Sequence, residues 1–264
     1  MHTPQYQIQP ASDLHLNPSK VAQITLSFWV MKICATTLGE TAGDLLAQTL
    51  NIGYAVSSLI LLSLFALLLT AQLRAKQFNP VLYWSVILAT STAGTTISDF
   101  MDRTLGLGYA TGSLLIFATL GAVLLAWYRS EKSLSVAHIA TPRAELFYWF
   151  AILCSNTLGT ALGDYLADDS GLGFLGGASL IGTLITGIVL LYRFTQINRI
   201  ALFWLAFVLT RPFGATFGDL LTKSTDQGGL DFGTVGSSVV LLLILVALLG
   251  WTIWRDRRRA LMVG

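Results

Sequence analysis

Four tryptophans set the frame of this chain. Trp29, Trp84, Trp149 and Trp204 are each followed ten residues later by a glycine (Gly39, Gly94, Gly159, Gly214). Fourteen residues after each comes a small residue (Gly43, Ser98, Gly163, Gly218), and fifteen after, an aspartate (Asp44, Asp99, Asp164, Asp219). One register kept at four positions in four places is an internal repeat, and a repeat restricts the fold to equivalent units packed on one another. The tryptophans are 55, 65 and 55 residues apart. The ten extra residues fall around "SEKSLSVAHIATPR" and divide the copies into two pairs.

Each copy reads as two helices. No charged residue lies between Leu45 and Leu73, between Arg103 and Arg129, between Asp169 and Arg193, or between Asp231 and Arg255. Each of these stretches exceeds the roughly 20 apolar residues that cross a bilayer. Charged residues make up 11% of the chain, against about 25% in soluble proteins. The first helix of a copy holds the Trp and the Asp. The second opens with an aromatic beside a glycine ("NIGYA", "GLGYA", "GLGFL", "GLDFG"). The expected fold is therefore all-α: a polytopic membrane protein with eight transmembrane helices, arranged as four parallel-repeat helical hairpins in two halves. The expected divisions are a cytoplasmic N-terminal tail over 1–23, a first half over 24–128, a linker over 129–145, a second half over 146–254 and a basic tail over 255–264. The tail lacks the basic start, apolar run and cleavage site of a signal peptide.

Basic residues give the orientation. Twelve of them (Lys20, Arg74, Lys76, Arg129, Lys132, Arg143, Arg193, Arg199, Arg255, Arg257, Arg258, Arg259) lie at the Trp ends of the spans, and only Arg103 and Lys223 at the Asp ends. Both termini are thus expected in the cytoplasm, with the tryptophans as anchors at that interface. An even helix count per copy makes the repeats parallel. The two cysteines, Cys34 and Cys154, fall in apolar segments and suggest neither a disulfide framework nor a thiolate site. The histidines, His2, His15 and His138, lie outside the spans and are assigned no role.

The first helix of each copy carries the chemistry. At about 100° per residue, positions 7, 8, 11 and 15 after the Trp share a face. They hold Thr36, Thr37, Glu40 and Asp44 in copy one and Ser91, Thr92, Thr95 and Asp99 in copy two. Copy three has Asn156, Thr157, Thr160 and Asp164; copy four has Arg211, Pro212, Ala215 and Asp219. The neighbouring glycines give the small-xxx-small spacing of close helix contact. The odd helices are expected to face one another around a polar centre, and the even helices to meet lipid. A carboxylate in mid-membrane costs roughly 2.5–3.5 kcal/mol, so five of them need compensation from a cation, a proton, or the only deep bases, Lys32 and Arg211. Arg211 suits a counter-ion to Glu40 or an Asp, with Pro212 breaking its helix. Lys32, one turn from Trp29, suits snorkelling to the interface.

The fourfold hairpin with a Trp and a G-x-x-x-[GS]-D core resembles a group of uncharacterised bacterial integral membrane proteins built from four tandem two-helix repeats of unknown function. The resemblance covers roughly residues 25 to 250. It implies the fold and a place in the bacterial inner membrane, and no activity. A weaker likeness joins "E-T-A-G-D" to cation exchanger families that carry E-x-G-D in paired repeats, though those repeats are inverted.

The reading these residues favour is a transporter of a hard divalent cation, Mn²⁺ or Mg²⁺, with oxygen ligands and no soft ones. Glu40, Asp44, Asp99, Asp164 and Asp219 are the candidate metal ligands; Thr36, Thr95, Asn156, Thr160, Arg211 and Lys32 are the candidate substrate-binding residues. Proton coupling is compatible with desolvated carboxylates; assembly as a homo-oligomer is left open. The expected partners are the bilayer and the cation itself, with no nucleic acid and no resident cofactor. The alternatives are a proton-coupled transporter of a small anionic or organic solute held by Arg211, an intramembrane enzyme, and a structural membrane protein. No Ser-His or Cys-His set appears in the spans, so the chain is not expected to be an enzyme.

Overall fold

A computed structural model describes residues 20–136, 139 and 141–263. Most of the expected N-terminal tail, and with it His2, His15 and His138, lies outside the described residues. Among those described, the chain forms eight α-helices and no strand: α1 (Leu26–Asp44), α2 (Tyr54–Arg74), α3 (Pro80–Asp99), α4 (Tyr109–Glu131), α5 (Pro142–Asp164), α6 (Gly173–Phe194), α7 (Arg199–Thr222) and α8 (Thr234–Val263). Thr25, Asn79, Thr141 and Asn198 cap the odd helices, their side chains accepting from first-turn N–H groups. Such caps satisfy donors that have no partner inside the helix. The segment joining α4 to α5 is shorter than the expected linker, and α8 continues as helix through the basic segment that follows Trp254.

After its Asp, each of the first three odd helices passes into one π-helical turn: Leu45–Thr49, Phe100–Thr104 and Tyr165–Asp169. Leu50, Leu105 and Ser170 close these turns by donating to the carbonyl five residues back, at 2.8 to 2.9 Å. Two left-handed residues then reverse the chain: Asn51 and Gly53, Gly106 and Gly108, Gly171 and Gly173, Asp231 and Gly233. The second is glycine every time because a side chain there would strain the backbone, which explains the glycine beside each aromatic. Copy four has no π turn and a longer loop. The expected break at Pro212 does not occur, because α7 runs through it to Thr222. Proline withdraws one N–H from the ladder, but this stretch of α7 is clamped by α5 on one flank and α1 on the other.

The odd helices close into a ring in which α1 packs on α3 and α7, and α5 on α3 and α7. The glycines set its tightness. A Cβ on Gly39 would lie 2.2 Å from Ser91 Oγ, on Gly159 2.3 Å from Arg211 Cγ, and on Gly214 2.5 Å from Thr36 Oγ1; on Gly94 it would meet Asn156 at 3.0 Å. In every copy position 10 faces position 7 of the next, and the fourth faces the first. The repeats are thus related by a pseudo-fourfold rotation. The even helices do not fold back on their own copies as simple hairpins. Instead α2 packs along α3, α4 along α5, α6 along α7, and α8 returns to α1.

Among the described residues, six helices are long and apolar enough to cross a membrane: α2, α4, α5, α6, α7 and α8. The apolar windows of α2, α4, α6 and α8 are 17–28% buried, against 67% and 61% for α5 and α7, so the even helices offer their apolar surface to lipid. Helices α1 and α3 fall short because Lys32, Glu40 and Asp44, and the Thr/Ser run of Thr90–Thr96, displace apolar residues. Both belong to the inner ring, where those polar residues face neighbouring helices.

The repeat tryptophans pack against one another rather than project outward as interface anchors would, with Trp29 half-buried. Trp84, Trp149 and Trp204 are buried. Each Trp follows another aromatic, and ring contacts of 5.1 to 6.4 Å run from Trp29 through Phe28, Trp84, Tyr83, Trp149, Tyr148, Trp127, Trp204 and Phe203 back to Trp29. Edge-to-face pairs of this kind contribute about 0.5–1.5 kcal/mol each beyond burial, which favours packing among themselves over a place in the headgroups. The Tyr83 and Tyr148 hydroxyls bond to each other at 2.6 Å inside this closure.

Candidate functional site

Between the aromatic closure and the Asp end, the ring is filled in layers, one turn apart. Position 3 brings Lys32 toward the axis. Its ammonium is fully buried, donates to Asn156 Oδ1 at 3.2 Å, and sits 4.3 Å from the centre of the Phe207 ring. Lys32 therefore does not snorkel. Asn156 passes the contact on, donating to Thr90 Oγ1 at 3.0 Å.

Positions 7 and 11 form the centre. Arg211 is fully buried, and its guanidinium reaches every helix of the ring. One end pairs with Glu40 Oε2 at 2.9 Å and donates to the Thr36 carbonyl. The other donates to Thr95 Oγ1, to Thr160 Oγ1 at 2.8 Å, and to the Ser91 carbonyl. Thr95 also lies within hydrogen-bond reach of Glu40, at 3.3 Å. The counter-ion expected for Arg211 is thus Glu40. Thr36 contributes only its backbone here: its hydroxyl is committed to carbonyls of Lys32, Ile33 and Thr210. Many of the remaining core threonines likewise bond to carbonyls one turn back, as Thr37, Thr92, Thr157 and Thr216 do. They serve as compact, satisfied packing residues rather than ligands.

Position 15 is the Asp ring, with all four carboxylates buried. Position 19, one turn on, supplies cations in alternate copies. Arg103 bridges Asp99 at 3.1 Å and Asp164 at 3.2 Å. Lys223 bridges Asp44 at 2.7 Å and Asp219 at 3.3 Å. In copy one the position belongs to Gln48, which donates to Asp44 Oδ1 at 2.6 Å. Each basic residue therefore joins its own copy's Asp to that of the next copy, so α3 is tied to α5 and α7 to α1. Burial disfavours the Lys223 ammonium, but Asp219 and Asp44 outweigh it and hold its pKa above the ordinary lysine range.

The five candidate ligands do not form one site. Glu40, Asp44 and Asp219 offer carboxylate oxygens that all lie within 4.8 Å of one another. Asp99 and Asp164 stand on the other side of the ring, on Arg103. Of the candidate binding residues, Thr95, Thr160 and Arg211 cluster on Glu40, while Lys32 and Asn156 lie a layer toward the aromatic end. Sequence reasoning missed Arg103 and Lys223 as site residues and used them only for orientation, at the Asp ends of the spans. The spacing Asp99–Arg103 and Asp219–Lys223 is one helical turn and carried the signal. Two further buried acids were also missed. Asp102 accepts from Ser98 at 3.2 Å. Glu145 pairs with Lys20 at 2.6 Å and accepts from Gln72, fastening the chain before α1 to the start of α5.

A ring of four two-helix repeats, with apolar outer helices and a charged core on the inner ones, defines an integral membrane protein of tandem-repeat type. The chain belongs to the family described as a repeat of unknown function, DUF347, which matches it four times: residues 27–78, 82–133, 147–198 and 202–258. Each match begins just before the repeat's Trp. Comparison with curated proteins and with solved structures gave no match.

Proposed function

We propose that the protein is a membrane transporter of a hard divalent cation, Mn²⁺ or Mg²⁺, and that Glu40, Asp44 and Asp219 hold the ion within the ring. The observation that carries this reading is the convergence of those three buried carboxylates. Oxygens bound to one hard cation at about 2.0–2.6 Å stand no more than roughly 4–5 Å apart, and the trio meets that bound. Buried acids inside a membrane core are otherwise expensive and mark ion or proton pathways. In this reading all eight helices span the bilayer of the bacterial inner membrane, with both termini in the cytoplasm and the Asp ring toward the outside. Proton exchange on the same carboxylates supplies the coupling. An anionic solute at Arg211 is less favoured, since both terminal nitrogens of its guanidinium are committed to Glu40, Thr95, Thr160 and two carbonyls.

The test is flux into proteoliposomes, with Mn²⁺, Mg²⁺, Ca²⁺ and Zn²⁺ offered in turn to the wild type, Glu40→Gln and Asp44→Asn. Protein-dependent entry of Mn²⁺ or Mg²⁺ that both substitutions abolish is the expected result. No entry of any ion under either direction of pH gradient, with folded protein, overturns the proposal.

A further inference from the structure

Two cations face the carboxylates of the Asp ring from position 19, and they are held differently. Arg103 sits inside the π-helical turn that continues α3, one residue before that turn ends. Lys223 sits just beyond the end of α7, in the one copy that lacks the π turn. The loop after it, containing Thr225–Gln227, is tied back by backbone bonds from Leu230 to Leu220, Asp231 to Lys223 and Phe232 to Leu221. The backbone at Lys223 is therefore fixed, while its ammonium stands on a flexible four-carbon stem. Its side chain is 18% exposed, against 3–4% for the two aspartates it joins. That ammonium sits on two of the three carboxylates of the trio, with Gln48 Oε1 3.5 Å away. The third, Glu40, is held from the opposite side by Arg211, whose side chain is fully enclosed.

We propose that Lys223 is a tethered competitor for the cation site: its ammonium fills the trio when no ion is present and swings out toward the Asp end when one enters. The inference rests on the transport reading and adds to it what sets affinity. A divalent ion that displaces one ammonium changes the charge of the trio by one unit rather than two, and the returning ammonium helps expel the ion. Arg211 has no such freedom, because moving it would break bonds to α1, α3 and α5 together. Arg103 is held in a helical turn and faces carboxylates outside the trio.

The experiment is Mn²⁺ titration of purified protein, read by the loss of the free-ion paramagnetic signal, on the wild type, Lys223→Gln, Lys223→Arg and Lys223→Gln/Asp219→Asn. Lys223→Gln is expected to bind Mn²⁺ at least about tenfold more tightly than the wild type, about 1.4 kcal/mol. Its return to zero-ion conditions in flux assays is expected to slow. Lys223→Arg keeps the competing charge and is expected to stay near wild type. The double variant has no surplus carboxylate charge, guards against a folding defect in the single one, and is expected to lose the gain. Wild-type binding with Lys223→Gln equal or weaker overturns the competitor role and leaves the cation site standing. Binding by neither protein overturns both.

Discussion

The pair at the centre of the ring, Arg211 and Glu40, makes the sharpest energetic prediction. Arg211 is fully enclosed and Glu40 nearly so, and their 2.9 Å contact is surrounded by Thr95, Thr160 and two carbonyls. Removing one member leaves the other charge buried without its partner, which costs about 3–5 kcal/mol. Arg211→Met and Glu40→Gln are each expected to fall in that range, with Arg211→Met at the upper end because it also strips donors from both threonines. If the costs were independent, the double variant would lose about 6–10 kcal/mol. Because each single loss is mostly an orphaned charge, the double variant should lose no more than about 3–5, a coupling of about 3 kcal/mol or more. Thermal unfolding in detergent, followed by tryptophan fluorescence, reads this as drops of roughly 10 °C for each single variant and no greater drop for the double. Additive losses would refute the reasoning, since they would mean that the two side chains do not compensate each other.

Four further outcomes follow from the packing. Gly159→Ala places a methyl 2.3 Å from Arg211 Cγ and 2.9 Å from Pro212 Cδ, and should destabilise by about 1–3 kcal/mol. By contrast Gly121→Ala, with nothing within 4 Å, should be neutral or slightly stabilising in the same thermal assay. Tyr83→Phe leaves the Tyr148 hydroxyl without its buried partner at a cost of about 1–3 kcal/mol, and adding Tyr148→Phe should recover part of that loss. Glu145→Ala releases Lys20 and Gln72, so the segment before α1 should be cut faster in limited proteolysis while the helices stay intact.

Much of the fold was legible because the repeat is strict. The Trp-to-Asp register placed four polar helices side by side, and the glycines at positions 10 and 14 named the faces on which they meet. Each of those glycines touches the next copy where the spacing put it. The path of the even helices was not legible. Uniform apolar composition gives α2 no reason to prefer α1 or α3; the connection after each Asp, with its two left-handed residues in every copy, sets the direction and carries no hydrophobic signal. At the site, the sequence placed Glu40, Asp44, Asp99, Asp164 and Asp219 on inward faces, yet could not divide them into a trio and a separate pair. That division depends on Arg103 and Lys223. Both follow an Asp by one turn, and both served only for orientation because the hydropathy pattern ends before them. The tryptophans misled for a related reason: Trp near a span end commonly marks an interface, and only the aromatic preceding each one hinted at a closed ring. Lys32 misled in the same way, since a lysine one turn from a span end commonly snorkels, whereas Asn156 and Phe207 hold this one inside.

The central claim is that the ring passes a cation over three particular carboxylates. The most direct measurement is uptake of Mn²⁺ and of Mg²⁺ into proteoliposomes by the wild type, Asp219→Asn and Asp164→Asn, compared at equal amounts of folded protein. The two aspartates occupy the same register in neighbouring copies, but only Asp219 belongs to the trio. The account predicts uptake by the wild type, its loss in Asp219→Asn, and substantial retention in Asp164→Asn. Equal loss in both variants, or no uptake of either ion by the wild type, would contradict it.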